Sequence, residues 1–221
     1  MKKILFTIIT LPMMANASVK TTYFNDDSKG FEIIKSEKPT VELMVNETTE
    51  EDEYIRFFFN LGKNYKQELN NYNKSKYAYD SKVLDTHIKA NLSDIQLSIP
   101  YKEPKELTNK ILGYAPIGSY KDGWTGIRSF FKDELLGICS YSFEKFIYIQ
   151  AESNYVRNLV NGKPSFNSIS GNVNAGYLYV LSWNVDNKDF VYDYKLECVN
   201  KNNDERIMGN MIKLANLIDQ G

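Results

Sequence analysis

The stretch FVYDYKLECV, Phe190–Val199, decides how the C-terminal half of this chain folds. Its even-numbered positions are aromatic or apolar and end in Cys198, whereas charged residues stand at several of the odd-numbered positions between them. An alternation of period two is typical of a β-strand with one buried face. The pattern therefore predicts a strand here, with Cys198 on its buried side.

The only other cysteine, Cys139, begins a similar alternation in the stretch 138–149. Two core-facing cysteines on two strands of a small domain are plausible partners, and we expect a disulfide between Cys139 and Cys198. This disulfide would close a loop of about 60 residues, which would stabilise the fold by roughly 4 kcal/mol in the chain-entropy model. The alternative is a pair of free buried thiols. A CxxC redox motif is absent from the sequence.

The fold class predicted by the whole pattern is α+β, with an antiparallel β-sheet in the C-terminal half, a packed C-terminal helix and an N-terminal helical segment. Consecutive strands joined by short polar turns favour antiparallel pairing. The closing helix is expected over residues 204–218, with Asn202 and Glu205 in a capping box. Residues 151–160 are ambiguous between helix and strand. The other predicted strands of this half cover residues 124–131, 137–149, 165–170 and 176–185.

The N-terminal half is less regular. Two short strands are expected at 31–34 and 40–45. The acidic run 47–53 predicts the first turn of a helix, because acids favour the positive end of the helix dipole, and Thr48 or Thr49 would cap it. A second helical piece would extend to about residue 92.

The region between the two halves combines a short apolar alternation with turn-forming residues. The alternation Ile95–Ile99 predicts a strand that stops at Pro100. Because it contains several Pro and Gly residues, the stretch 101–122 is interpreted as a long loop with one helical turn near 107–112.

Residues 1–17 have the organisation of a secretory signal peptide. Two lysines precede a short apolar run, and Ala15-Asn16-Ala17 fits the small-x-small cleavage rule. We expect cleavage after Ala17, export to the periplasm or the medium, and a single α+β domain over 18–221. A sub-boundary, if there is one, is expected near 100–123. No later apolar run approaches the roughly 20 residues of a membrane helix, so a soluble product without a transmembrane segment is predicted.

Composition narrows the classes of partner. The chain has 27 basic and 28 acidic residues, and losing Lys2 and Lys3 with the signal leaves 25 basic residues against 28 acidic ones. The predicted net charge of −3 argues against nucleic acid, whose binders present a basic face.

Few residues of the sequence are suited to metal binding, phosphate binding or catalysis. His87 is the single histidine, so a zinc site lacks ligands and we predict no metal or cofactor. The stretch 118–125 has the glycine spacing of a P-loop, but Trp124 stands where the phosphate-binding lysine belongs. Paired carboxylates could hydrolyse glycosides without histidine. The carboxylates considered for this role are Asp122, Asp133, Glu134 and Glu152.

The candidate binding loop consists of Tyr114, Tyr120 and Trp124, aromatic residues in or beside the Gly/Pro-rich stretch, where packing demands are weaker. The catalytic residues, if any, are unknown. The leading hypothesis is an exported bacterial protein that binds a protein or a cell-envelope component without catalysis. The alternatives are a carboxylate-dependent hydrolase of envelope polymers and a subunit of a secretion or conjugation assembly.

Overall fold

The computed structural model describes residues 30–34, 49–63, 88–153, 155–187 and 189–221. The predicted signal peptide, the strand expected at 40–45, His87 and most of the second helical piece lie outside these ranges. In chain order, the helices and strands of the described residues are β1 (Gly30–Ile34), α1 (Thr49–Lys63), β2 (Ile111–Tyr120), β3 (Trp124–Asp133), β4 (Gly137–Phe146), β5 (Tyr148–Glu152), β6 (Arg157–Val160), β7 (Lys163–Asn172), β8 (Gly176–Asp186), β9 (Val191–Asn200) and α2 (Glu205–Gln220).

Seven strands form one antiparallel sheet in the order β2-β3-β4-β9-β8-β7-β6. Hairpins join most neighbours, and β9 returns to the middle of the sheet to pair with β4. β1 and β5 form a separate parallel pair. The predicted α+β class, with its antiparallel sheet and its two helical segments, is confirmed.

One face of the sheet, called here the aromatic face, carries the larger core. It includes the odd-numbered positions of β4 and the even-numbered positions of β9, as the alternation predicts. Helix α2 packs on this face through Ile207, Met211 and Ala215, all of them buried. The side chains of Cys139 and Cys198 lie within this core.

The opposite face of the sheet, called here the polar face, is covered at one end by α1. Ile55, Phe58 and Leu61 of this helix are buried in a second cluster with Phe130 and Val180. Further along the same face the apolar residues give way to serines and charged residues of β4 and β9. The sheet is therefore covered differently on its two faces, and each face carries one candidate site.

The prediction of a loop at 101–122 is wrong for the second half of this stretch, where β2 runs for ten residues. Its proline and glycines sit where an edge strand tolerates them. Pro116 lacks a donor but lies on an outer strand, and Gly113 and Gly118 border irregularities in the pairing with β3. The same residues that signal a loop are thus compatible with a strand at the sheet edge.

Two other local predictions are also wrong. The stretch 95–99 forms no regular strand; a 3-10 turn at Leu92–Asp94 precedes it, and Leu97 makes one isolated bridge to Trp124. The cap of α2 is Asp204, whose side chain accepts a hydrogen bond from the backbone N–H of Arg206. Asn202 is held in the preceding turn, because its backbone N–H donates to Asn200 and its carbonyl accepts from a tyrosine hydroxyl.

Candidate functional site

A cleft of about 410 Å³ opens on the aromatic face near the end of α2. One wall is the segment 100–106, which precedes β2, and the opposite wall is the last turn of α2 with Ile218 and Asp219. The floor is made by residues of β4, β8 and β9, together with Lys163 at the start of β7. A concave site lined by apolar rings and a few polar groups is the usual form of a ligand site.

Aromatic rings dominate the floor and continue onto the adjoining wall through Tyr101. Tyr101 lies 5.8 Å from Phe143 between ring centroids, and Phe143 lies 5.0 Å from Tyr194. Tyr194 in turn stacks on Trp183 at 5.3 Å with an interplanar angle of 11°. Tyr141 lies 6.5 Å from Tyr194. Because these rings pack on one another, the floor is a continuous aromatic surface rather than a set of separate side chains.

The tyrosine hydroxyls of the cleft stay protonated at physiological pH. Burial raises the pKa of Tyr101 to about 12 and also raises that of Tyr194 to about 12, where the nearby Asp219 carboxylate adds to the effect. Burial likewise raises the pKa of Tyr141, with smaller contributions from Tyr101, Tyr194 and Asp219. Each hydroxyl therefore keeps its proton, and that of Tyr101 is hydrogen-bonded to Ser129 Oγ at 3.2 Å.

The charged groups of the cleft differ in depth. Asp219 is 5 % exposed and accepts hydrogen bonds from Trp183 Nε1 at 3.2 Å and from Lys163 Nζ at 2.5 Å. Glu106 is 13 % exposed and lies 3.9 Å from the ammonium of Lys105, which is 83 % exposed. The ammonium of Lys105 thus lies nearer solvent than the two carboxylates, whereas that of Lys163, at the floor, is paired with Asp219.

Glu106 Oε2 is buried and accepts no hydrogen bond from the part of the chain that the structure describes. The neighbouring acid of the same wall, Glu103, accepts a hydrogen bond from the hydroxyl of Tyr114. A buried carboxylate oxygen without a donor is costly, and such atoms often mark a place where another molecule supplies the donor.

The three residues of the predicted binding loop lie in the β2–β3 hairpin and do not line the cleft. Tyr114 and Trp124 are each 8 % exposed and belong to the core. Tyr120 is 40 % exposed and packs edge-on against Trp124 at 5.6 Å. All three belong to two paired strands, and Tyr120 and Trp124 stand directly beside the turn 121–123 that joins them, so their role in binding stays a prediction.

The structure brings Cys139 and Cys198 directly opposite each other on β4 and β9, with their sulfur atoms 2.12 Å apart. Both side chains are fully buried on the aromatic face. They connect the two strands that supply Tyr141 and Tyr194 to the cleft floor.

A second candidate site lies on the polar face, where Glu144 of β4 is directly opposite Asp193 of β9. Burial raises the pKa of Glu144 to about 7, and the Asp193 charge adds to this. Burial also raises the pKa of Asp193 to about 6, although Lys195 and a 2.8 Å hydrogen bond from Asn184 Nδ2 act in the other direction. Carboxyl groups with raised pKa values are common at catalytic sites and also occur in purely structural clusters.

Two glycines give the Glu144 side chain its space. A Cβ at Gly126 would lie 2.9 Å from Glu144 Cγ, and one at Gly118 would lie 2.6 Å from its Oε1. Gly118 also has φ +79°, which a side chain rarely adopts. The side chain of Glu144 therefore lies over bare backbone of β2 and β3.

The sequence analysis missed this acid pair, although a signal for it exists. In an antiparallel ladder, five steps forward on one strand match five steps back on the other. A direct cross-strand pairing of Cys139 with Cys198 therefore places Glu144 opposite Asp193, as the register shows.

A neighbouring cluster on the same face neutralises a buried acid. Glu197, 8 % exposed, accepts hydrogen bonds from Tyr54 at 3.0 Å and Ser140 at 3.1 Å, and its Oε2 lies 3.5 Å from Arg128 Nη2. Burial alone would raise the pKa of Glu197, but Arg128, Lys195 and these hydrogen bonds outweigh it and the net shift is downward. Because Tyr54 belongs to α1, the cluster also attaches that helix to the sheet.

The carboxylates considered for glycoside hydrolysis do not form a pair along β3. Asp122 lies just before this strand and Asp133 at its end, so the length of the strand, about 30 Å, separates them. Asp133 is bound to Lys110 at 2.9 Å and to the backbone N–H groups of residues 135 and 136. Glu134 follows in an exposed turn. The Glu152 side chain and His87 lie outside what the structure describes.

Within the described ranges, no helix is both long and apolar enough to cross a membrane. The same part of the chain contains no group of three His, Cys, Asp or Glu side chains placed to hold a metal ion. Comparison of the chain with protein-family models, with curated proteins and with solved structures finds no match. The fold and the two sites therefore define an α+β protein with an aromatic cleft on one sheet face and an acid pair on the other.

Proposed function

We propose that this chain is an exported, non-catalytic protein that binds a component of the cell envelope, or a protein, in the aromatic cleft. The observation that carries the proposal is the cleft of about 410 Å³ with its continuous floor of packed rings. The organisation of residues 1–17 and the cysteine pair at disulfide distance support export to an oxidising compartment.

The placement of the acids favours binding over catalysis at the cleft. The two carboxyl groups with raised pKa values, Glu144 and Asp193, lie on the polar face, whereas the cleft lies on the aromatic face. The sheet separates them. A ligand seated on the aromatic floor would therefore not reach this acid pair.

The experiment compares two tyrosine variants. The exported protein is incubated with fractionated envelope extract, and retained molecules are identified by mass spectrometry. We expect Tyr101→Ser, which removes a ring from the cleft, to abolish retention. Tyr120→Ser is the matched control, since Tyr120 lies at the β2–β3 hairpin. Loss of retention in the control alone would place the site in the hairpin and contradict the proposal.

A carboxylate-dependent hydrolase is the second candidate, and the Glu144–Asp193 pair is the observation that favours it. A protonated Glu144 beside a second acid could serve as a general acid near neutral pH. This function predicts that the pure protein degrades an envelope polymer and that Glu144→Gln abolishes the degradation. Polymer degradation that Glu144→Gln removes, without retention of any ligand, would favour this candidate over binding.

A further inference from the structure

We infer that the cleft recognises an organic ammonium group, a cation held between aromatic faces and buried carboxylates. The inference rests on the proposed binding function and names the chemical class of its ligand. Three features of the cleft carry it: the depth of its charges, the unpartnered oxygen of Glu106, and the ring faces of its floor.

The carboxylate side chains of the cleft are less exposed than the lysine side chains with which they pair. The exposed fractions of the two carboxylate side chains, 5 % for Asp219 and 13 % for Glu106, are well below those of their lysine partners, 33 % for Lys163 and 83 % for Lys105. Lys163 is engaged with Asp219, and Lys105 extends toward solvent. A bound cation would therefore be attracted by these carboxylates, whereas a bound anion would be repelled by them.

Glu106 Oε2 supplies an acceptor for such a cation. It is buried and receives no hydrogen bond from the described residues. A primary ammonium group carries only donors, so it satisfies a carboxylate oxygen without bringing an acceptor that needs a partner of its own, whereas a quaternary ammonium has no N–H and meets the carboxylate through its charge alone. Lys105 lies 3.9 Å from the other oxygen, Oε1, so a ligand without a donor would leave Oε2 alone unsatisfied.

The aromatic floor fits the same ligand. Ring faces attract cations that lie within about 6 Å of their centroids, and tyrosine and tryptophan are effective partners. Tyr101, Phe143 and Tyr194 present a connected set of rings at centroid separations of 5.0–5.8 Å. Rings combined with carboxylates favour an organic cation over a metal ion, which would be held by oxygen ligands alone.

The test titrates the full exported chain with choline and with its uncharged isostere 3,3-dimethylbutan-1-ol, following tryptophan fluorescence and heat of binding. n-Butylamine is a third probe and distinguishes a primary ammonium source from a quaternary one. We expect at least one cation to bind at least tenfold more tightly than the isostere. Glu106→Gln should weaken that binding by about tenfold, whereas Glu134→Gln, an exposed acid outside the cleft, should leave it unchanged.

The outcomes separate this inference from the function on which it rests. If neither choline nor n-butylamine binds more tightly than the isostere, the ammonium class is overturned and the cleft remains a binding site. The ammonium class is also overturned if no cation binds but the wild type still retains an envelope component that Tyr101→Ser loses. If the protein binds no probe and retains no component, both proposals fail. The isostere comparison uses the wild-type protein, so it does not depend on how any variant folds.

Discussion

Glu144 and Asp193 lie directly opposite each other on the two central strands β4 and β9, and the pKa of each carboxyl is raised. Two like charges in a cross-strand pair repel each other, and burial removes the water that would screen them. The folded protein therefore holds protons on this pair that the unfolded chain releases. This difference makes the stability of the fold depend on pH.

The first prediction concerns the direction of that dependence. The folded-state pKa of Glu144, about 7, lies above its ordinary value of 4.5, and that of Asp193, about 6, lies above 3.8. A raised acid pKa stabilises the fold at low pH, and this stabilisation is lost as pH rises through the folded-state value. We expect the free energy of unfolding to fall by about 4 kcal/mol between pH 4.5 and 7 through this pair. Urea denaturation across this range measures it.

Glu144→Gln should flatten this slope, because glutamine stays neutral at every pH. Glu134→Gln, in an exposed turn, is the matched control and should keep the wild-type slope. Below about pH 4.5 the sign reverses, because Glu197 and Asp133 have lowered pKa values and their stabilisation is lost on protonation. An unchanged slope in Glu144→Gln would show that the pair does not titrate with folding.

The second prediction concerns the ion pair of Arg128 and Glu197. Arg128→Met should destabilise the protein by about 3–5 kcal/mol, because it leaves a buried carboxylate without its main counter-charge. Denaturant unfolding measures the loss. The double variant with Glu197→Gln should be more stable than the sum of the two single changes implies. Strict additivity would mean that the two groups do not interact in the folded protein.

The strands of the central sheet could be predicted from local pattern, and their relative positions could not. The alternation along Phe190–Val199 correctly predicts which side chains of β9 face the core, because successive side chains of a strand lie on opposite faces of the sheet. The Glu144–Asp193 pair needs the register between β4 and β9, which depends on contacts about 50 residues apart in sequence. The same alternation also places Tyr141 and Tyr194 on the core side of the sheet, but it does not show that α2 leaves a cleft over them.

At the edge of the sheet, local composition predicts a loop where the structure has a strand. Pro116 and its neighbouring glycines indicate a loop by composition, yet they stand in β2, whose outer position in the seven-stranded order tolerates them. Whether a strand is central or at an edge is a property of the assembled sheet. Composition alone therefore assigns the aromatic residues of this hairpin to a binding loop, although two of the three lie in the core.

The third prediction concerns the cysteine pair. Thiol labelling of the exported protein under denaturing, non-reducing conditions should modify neither Cys139 nor Cys198. Replacing both with alanine should cost about 2–5 kcal/mol of stability, since the bond would close a long loop between the two central strands. Two labelled cysteines per chain would show free thiols instead.

The fourth prediction concerns Asp219, the residue that ties the end of α2 to the sheet. Its carboxylate accepts from the buried Trp183 indole at 3.2 Å, from Lys163 at 2.5 Å and from Asn161 Nδ2 at 2.8 Å. Asp219→Ala leaves the indole N–H without this acceptor, and we expect a loss of about 1–3 kcal/mol with a change in tryptophan fluorescence. Asp219→Asn keeps an acceptor oxygen and should lose less. Lys213→Ala, an exposed change on the same helix, is the control. If Asp219→Ala unfolds at the same urea concentration as this control, Asp219 does not hold the helix on the aromatic face.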